Sequence, residues 1–298
     1  MFLIFLNYAL LASTFLCNKL LVGSIPPFSL TGLSNILGGS ILCSYAYFKQ
    51  RSGIKDFFNA SSLIYLLPVA LCVTFGATAL RMYALSNLSS FKVTFFSTLD
   101  PFITALLCYI LRSEKLSWMQ LLGMTVAAGG SACLFADSLM AEGGFATAAL
   151  IPLLAAFGAI VVNRYGWILA QDFMNTRGWN MPKVIAISML MGGSLSLGSA
   201  LLMKELPLSL AWPTVLPMLA YAVIVNNVIC SSTYGFLLKK YSVTFLSLAE
   251  FLGPLFVALY GWLFLGESVS TSFFISIALV ALGLFMFSKS AAKQLLAE

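Results

Sequence analysis

The chain has 298 residues, of which 60% are hydrophobic and only 9% charged, with a mean hydropathy of +0.98 and a formal charge of +6. An average soluble domain carries roughly 25% charged residues, so a soluble fold is excluded. The basic residues are spread along the chain and form no patch, which argues against a nucleic-acid partner. The sequence has no histidine, which removes Ser-His-Asp and Cys-His catalysis, His-bearing zinc sites and most histidine proton relays.

Apolar stretches of about 20 residues are long enough to cross a bilayer as helices. Ten occur: 2–22, 29–48, 61–85, 91–111, 116–136, 146–169, 183–203, 212–237, 243–264 and 269–288. The first lacks a basic leader and a small-residue cleavage site, so it is read as a membrane helix, not a cleaved signal. Cys17, Cys43, Cys72, Cys108, Cys133 and Cys230 each sit inside an apolar stretch with no C-x-x-C pair, as buried small hydrophobes do.

Short polar joints carry the orientation signal. With the N-terminus in the cytoplasm, the inner loops hold Lys49, Arg51, Lys55, Arg112, Lys115, Arg177, Lys183, Lys239 and Lys240, and the tail adds Lys289 and Lys293. The outer loops hold Lys204 against Asp137, Glu142, Glu205 and Glu267. This bias places both termini inside and accounts for the net charge.

The two halves resemble each other. Leu99-Asp100-Pro101 … Arg112-Ser113-Glu114-Lys115-Leu116 parallels Leu252-Gly253-Pro254 … Leu265-Gly266-Glu267-Ser268, with both prolines and both glutamates 153 residues apart. Cys17-Asn18-Lys19 parallels Val162-Asn163-Arg164 at a slightly different offset. Five helices per half is an odd number, so the second half enters from the opposite side, as in many alternating-access carriers. The expected units are 1–143 and 144–298.

On these residues the chain resembles the drug/metabolite transporter superfamily, in its EamA-type ten-helix branch. The Pro101-to-Glu114 and Pro254-to-Glu267 segments look like that family's paired motif. Leu11-Ala12-Ser13-Thr14-Phe15 with Lys19 is similar to its first-helix Trp-Gly-Ser-Asn-Phe pattern, with Leu11 and Ala12 in place of Trp and Gly. The resemblance implies an all-α membrane protein with a 5+5 inverted repeat and a transport function, and some members resemble S-adenosylmethionine carriers of intracellular bacteria.

Charged groups at membrane depth cost several kcal/mol and ask for a reason. Lys19, Arg81, Lys92, Asp100, Arg164 and Glu250 remain after the loops are assigned. Lys19 and Lys92 stand toward outer helix ends and Arg164 toward an inner end, where snorkelling and a functional role are both open. Lys92, Phe96 and Asp100 share one helix face, as do Thr74, Thr78 and Arg81. The offset partners of that second stripe are Asn227, Ser231 and Tyr234. Both stripes are expected to face one cavity; the alternative is an interhelical hydrogen-bond seam or an Arg81–Asp100 structural pair.

Glu250 has no basic residue within two turns on its own helix, which favours it over Asp100 as a proton carrier. Tyr8, Phe96, Tyr234 and Tyr260 either pack or line the path. Pro101 and Pro254 each remove a mid-membrane hydrogen bond, giving a hinge or a static kink. Glu114 and Glu267 read as connector residues that pack or cap a helix start.

No nucleotide-binding loop or acidic metal cluster is present, so neither ATP hydrolysis nor a cofactor or metal is expected. The expected function is secondary transport across a bacterial inner membrane of a small, zwitterionic metabolite: an amino acid, or an amino-acid-bearing compound such as S-adenosylmethionine. A proton or an exchanged metabolite would drive it, in a monomer or homodimer. The alternatives are a lipid-precursor flippase, marked by an apolar groove open to the bilayer, and a membrane transferase.

Overall fold

The computed structural model describes residues 2–22, 24–50, 60–88, 93, 99–114, 116–141, 150–179, 181–205, 212–265 and 271–295. All regular secondary structure among them is helical. In chain order, α1 is Phe2–Val22, α2 is Pro27–Gln50, and α3 joins Ala60–Val69, Ala70–Gly76 and Ala77–Asn87 head to tail. Then come α4 (Asp100–Arg112), α5 (Trp118–Ala141), α6 (Leu150–Thr176) and α7 (Met181–Leu202). The chain continues through α8, which joins Trp212–Ala222, Val223–Cys230 and Ser231–Leu238, then α9 (Val243–Ala249), α10 (Leu252–Leu265) and α11 (Thr271–Leu295).

By length and composition alone, four described spans can cross a membrane: Leu63–Leu85, Leu150–Thr176, Pro182–Leu202 and Val215–Leu238. Large apolar side chains such as Leu106, Ile110, Ile151, Leu154, Leu282 and Phe285 are exposed on the outside of the bundle. In water such a surface is a liability, whereas against lipid it is the normal exterior.

Several features depart from uniform α-helices. The middle segments of α3 and α8, Ala70–Gly76 and Val223–Cys230, are π-helical and start 153 residues apart. Pro68 and Pro217 lie upstream of them, each removing one helix bond. π-Segments inside α-helices are frequent at functional sites. The predicted ninth helix, 243–264, is instead broken between α9 and α10 at Glu250 and Phe251. Pro254 therefore lies in the first turn of α10, as Pro101 lies in the first turn of α4, where a missing N–H has no helix partner to lose. The Glu250 carbonyl is not free either, since it accepts from the Gly253 N–H at 2.8 Å.

Local caps explain several starts and stops. Ser117 Oγ accepts from the Gln120 N–H (3.2 Å) while Gln120 Oε1 accepts from the Ser117 N–H (2.8 Å), a capping box that opens α5. That role was expected of Glu114, which lies instead 3.6 Å from Arg112; Glu267 lies outside the described residues. Ser113 closes α4 in the left-handed region at φ 56°, and Ser242 caps α9 by accepting from the Phe245 N–H.

Two helix pairs pack most extensively, α5 with α11 and α2 with α7. Small residues allow both, because lipid supplies no hydrophobic drive and close backbone approach must hold helices together. A Cβ on Gly283 of α11 would lie 2.7 Å from the Ala127 Cβ of α5, and one on Gly193 of α7 would lie 3.0 Å from the Asn35 Cβ of α2. All six cysteines are free thiols, buried or half-buried.

Candidate functional site: a neutral cavity beside a buried ion cluster

A cavity of about 320 Å³ lies between α1, α2, α3, α6, α7 and α8. Thr74 and Asn226–Asn227, from the two π-segments, contribute to its wall. A π-turn widens the helix and changes which side chains face inward; Ser231 Oγ donates back to the Asn226 carbonyl, five residues earlier, at 3.1 Å.

Amides on the wall form a chain: Asn226 Nδ2 donates to Asn227 Oδ1 (3.1 Å), and Asn227 Nδ2 donates to Asn35 Oδ1 (3.2 Å). Gly38 admits Asn227, since a Cβ there would meet the Asn227 Cβ at 2.6 Å. Gly192 does the same for Thr74, whose hydroxyl donates to the Ala70 carbonyl at 2.8 Å. Ser188 also lines the cavity, and its buried hydroxyl has no hydrogen-bond partner among the described residues, so a ligand group that reached it would satisfy it. Trp167 completes the wall and meets Tyr234 edge to face at 4.8 Å.

No charged side chain is among the described lining residues. The charges gather one turn away. Arg164, three residues before Trp167 on α6, is 2% exposed. Its Nη2 donates to Asp100 Oδ2 at 2.7 Å and its Nε to Oδ1, a two-point grip that matches the planar fork of guanidinium. The same Nη2 reaches Glu250 Oε2, and Nη1 donates to the Tyr234 hydroxyl at 3.1 Å. Asp100 opens α4, where the helix dipole favours a carboxylate. Tyr8, also beside the cluster, donates to the Leu246 carbonyl at 2.8 Å and ties α1 to α9.

Of the residues predicted to bind, Thr78, Asn227 and Ser231 line the cavity. Arg164, Asp100, Glu250 and Tyr234 come together beside it. Tyr8 and Tyr260 are held by backbone carbonyls, Tyr260 by that of Ala9 at 3.2 Å. Arg81 is exposed, and Asp100 pairs with Arg164 in place of the alternative Arg81–Asp100 pair. Glu250 is not free of basic neighbours, because Arg164 arrives from another helix. Lys92, Phe96 and the Lys19 side chain lie outside the described residues.

Sequence reasoning missed Trp167, Asn35 and Ser188. Consecutive asparagines within an apolar stretch were the signal available for Asn226. A second network was also missed. Arg112 donates to Gln171 Oε1 (2.6 Å), Asp172 Oδ1 (2.5 Å) and the Ile168 carbonyl (3.1 Å), while Gln171 Nε2 donates to the Leu238 carbonyl (2.6 Å). It ties the ends of α4, α6 and α8 together.

Comparison with known proteins agrees with this architecture. One solved crystal structure superposes with a TM-score of 0.80 over 98% of this chain and 97% of its own, at 20% identity, which shows a shared fold. A protein of Chlamydia muridarum named S-adenosylmethionine/S-adenosylhomocysteine transporter is 28% identical over 95% of this chain and 89% of its own length. A protein of the same name from Chlamydia trachomatis serovar L2 is 28% identical over 95% of this chain and 86% of its own. The profile of the EamA-like transporter family matches residues 1–136 and again 145–289. An all-helical bundle with an apolar exterior and a polar cavity is what such a carrier needs, and this chain belongs to the EamA-like transporter family.

Proposed function

We propose that the protein is a secondary carrier of S-adenosylmethionine and S-adenosylhomocysteine in a bacterial inner membrane. The observation that carries the substrate is the similarity to transporters of that name along 95% of this chain. The cavity supports it. Amides and hydroxyls suit the hydrogen-bonding edges of a nucleoside, Trp167 suits a planar base, and the ion cluster stands beside the wall for the charged end of the ligand. Uptake of labelled S-adenosylmethionine into proteoliposomes holding unlabelled S-adenosylhomocysteine tests this. Rapid exchange is expected, and none would reject the substrate.

The mechanism we favour is alternating access by a 5+5 inverted repeat, 1–143 and 144–298. The family profile matches each half, and the π-segments keep the 153-residue offset. Packing partners correspond too: α1 on α10 as α6 on α4, and α2 on α8 as α7 on α3. Pro101 and Pro254 would be hinges at the helix starts, and the Arg112–Gln171–Asp172 network would hold the cytoplasmic side closed. Lys19, Arg81, Lys92 and Phe96 remain candidates for contacts in other states of the cycle.

Both termini would be cytoplasmic. In a cysteine-free variant, a cysteine at Ala141 should then react with an impermeant thiol reagent from outside, and one at Gln50 should not. The reverse pattern would invert the topology.

A second reading, a lipid-precursor flippase, is favoured by one feature. A groove of about 450 Å³ beside α4 and α5, lined by apolar residues such as Phe102, Leu106 and Met124, has Glu114 at its edge. It shares no lining residue with the central cavity, so a headgroup there has no described path inward. Transbilayer movement of a labelled lipid by the reconstituted protein would favour this reading instead.

A further inference from the structure

Among the described residues, the charges of the ion cluster do not balance. One guanidinium serves two carboxylates, so with both acids ionised the group holds one net negative charge in a low-dielectric setting. Among the described residues, the other titratable groups facing it are the Tyr234 phenol from α8 and the Tyr8 phenol from α1, both neutral when protonated. α11 packs on α9 and α10, and α5 packs on α10. Their charged residues Asp137, Lys289 and Lys293 lie in the last two turns of those helices. Access within the cluster is uneven. The side chains of Arg164 and Asp100 are 3% and 11% exposed, and that of Glu250 is 33% exposed. Glu250 is therefore the member that can exchange its partner for a proton or a ligand without opening the Arg164–Asp100 grip.

The two ligands named for the relatives differ by one charge. S-adenosylmethionine carries an ammonium, a carboxylate and a sulfonium, a net single positive charge. In S-adenosylhomocysteine the sulfonium is a thioether and the net charge is zero. In the binding mode proposed above, the nucleoside that both share lies against a wall with no described charged residue, and the charged end, where the sulfonium of one and the thioether of the other stand, faces the cluster beside it.

We infer that Glu250 makes the carrier balance ligand charge: its carboxylate stays ionised when the sulfonium ligand is bound and takes up one proton from solvent when the thioether ligand is bound. This rests on the substrate reading above. The loaded carrier then has the same total charge with either ligand, and exchanging one for the other moves S-adenosylmethionine one way and S-adenosylhomocysteine plus a proton the other. The exchange is electroneutral, and a membrane potential neither drives nor opposes it.

The test uses the full-length purified protein. Each ligand is titrated by calorimetry in buffers of different ionisation enthalpy, which counts protons taken up per ligand bound. S-adenosylhomocysteine should take up more protons than S-adenosylmethionine, by as much as about one per site. As pH rises from weakly acid to neutral, affinity for the thioether should fall relative to the sulfonium by up to about tenfold per pH unit. Glu250→Gln keeps the Arg164–Asp100 pair balanced, so it should flatten that ratio and favour the thioether throughout.

Equal proton counts for two bound ligands would overturn the inference. A pH-dependent ratio that persists in Glu250→Gln would also overturn it. If Glu250→Gln does not fold, the wild-type proton count decides alone. Failure of both ligands to bind would overturn the substrate reading, and this inference with it.

Discussion

Arg164→Met should remove most of the folded protein from the membrane. The substitution leaves Asp100 and Glu250 side by side without their shared guanidinium. Taking one partner from a buried ion pair typically costs about 3–5 kcal/mol, because the stranded charge has lost its water as well as its partner. Here two like charges are stranded together, and Tyr234 loses the donor that holds its hydroxyl. Arg164→Met combined with Asp100→Asn and Glu250→Gln should recover much of the lost stability, since no buried charge remains to compensate. The measurement is the melting temperature and the monodisperse yield of detergent-extracted protein. The interpretation is wrong if Arg164→Met alone behaves as wild type, or if the triple variant is no better than the single one. Transport should be absent in both, which separates the structural role from the functional one.

Gly283→Val should be the most damaging change on the α5–α11 seam. A Cβ at position 283 would stand 2.8 Å from the Ala127 backbone nitrogen and 2.7 Å from its Cβ. Neither atom can rotate away as a side-chain tip can, so the two helices must separate along their contact. Overpacking of this kind costs about 1–3 kcal/mol in well-packed cores, occasionally more. The β-branched side chain adds bulk that Ala would not. Gly129→Ala, on the same α5 helix, is the internal comparison, because nothing lies within 4 Å of its Cβ. It should be neutral or slightly stabilising, given the better helix propensity of alanine. Thermal unfolding of the two variants decides it: equal melting temperatures would mean that the seam is loose enough to absorb the extra carbon atoms.

The sequence by itself determined the class of molecule. Hydropathy over windows of about 20 residues depends only on composition, since a bilayer selects segments by length and apolarity before any packing occurs. The 153-residue offset between the halves was likewise legible, because Pro101/Pro254 and Glu114/Glu267 repeat the same residue types at one spacing. Of the stripe Thr74–Thr78–Arg81 and its partners Asn227, Ser231 and Tyr234, read from helical periodicity, Thr74, Thr78, Asn227 and Ser231 line the cavity, whereas Arg81 is exposed and Tyr234 joins the ion cluster.

Partner choice was decided only by the tertiary structure. From the sequence Arg164 reads as an end-of-helix residue, since the apolar run ends at 169. The helix continues to Thr176, held past its apolar part by Gln171 and Asp172 bonding to Arg112, so Arg164 lies a dozen residues inside it. An Arg81–Asp100 pair was one of the structural alternatives to a shared cavity, yet Arg81 is exposed and the partner of Asp100 comes from α6. Glu250 had no basic neighbour along its own helix and acquired one across the bundle. Ion pairing depends on which helix faces meet, and a pairing between Asp100, Arg164 and Glu250 spans 150 residues of chain without leaving a periodic trace in any one segment. The π-segments are of the same kind. Their extra residue per turn is tolerated because Gly38 and Gly192 on neighbouring helices make room for Asn227 and Thr74, and that room exists only once the helices have packed.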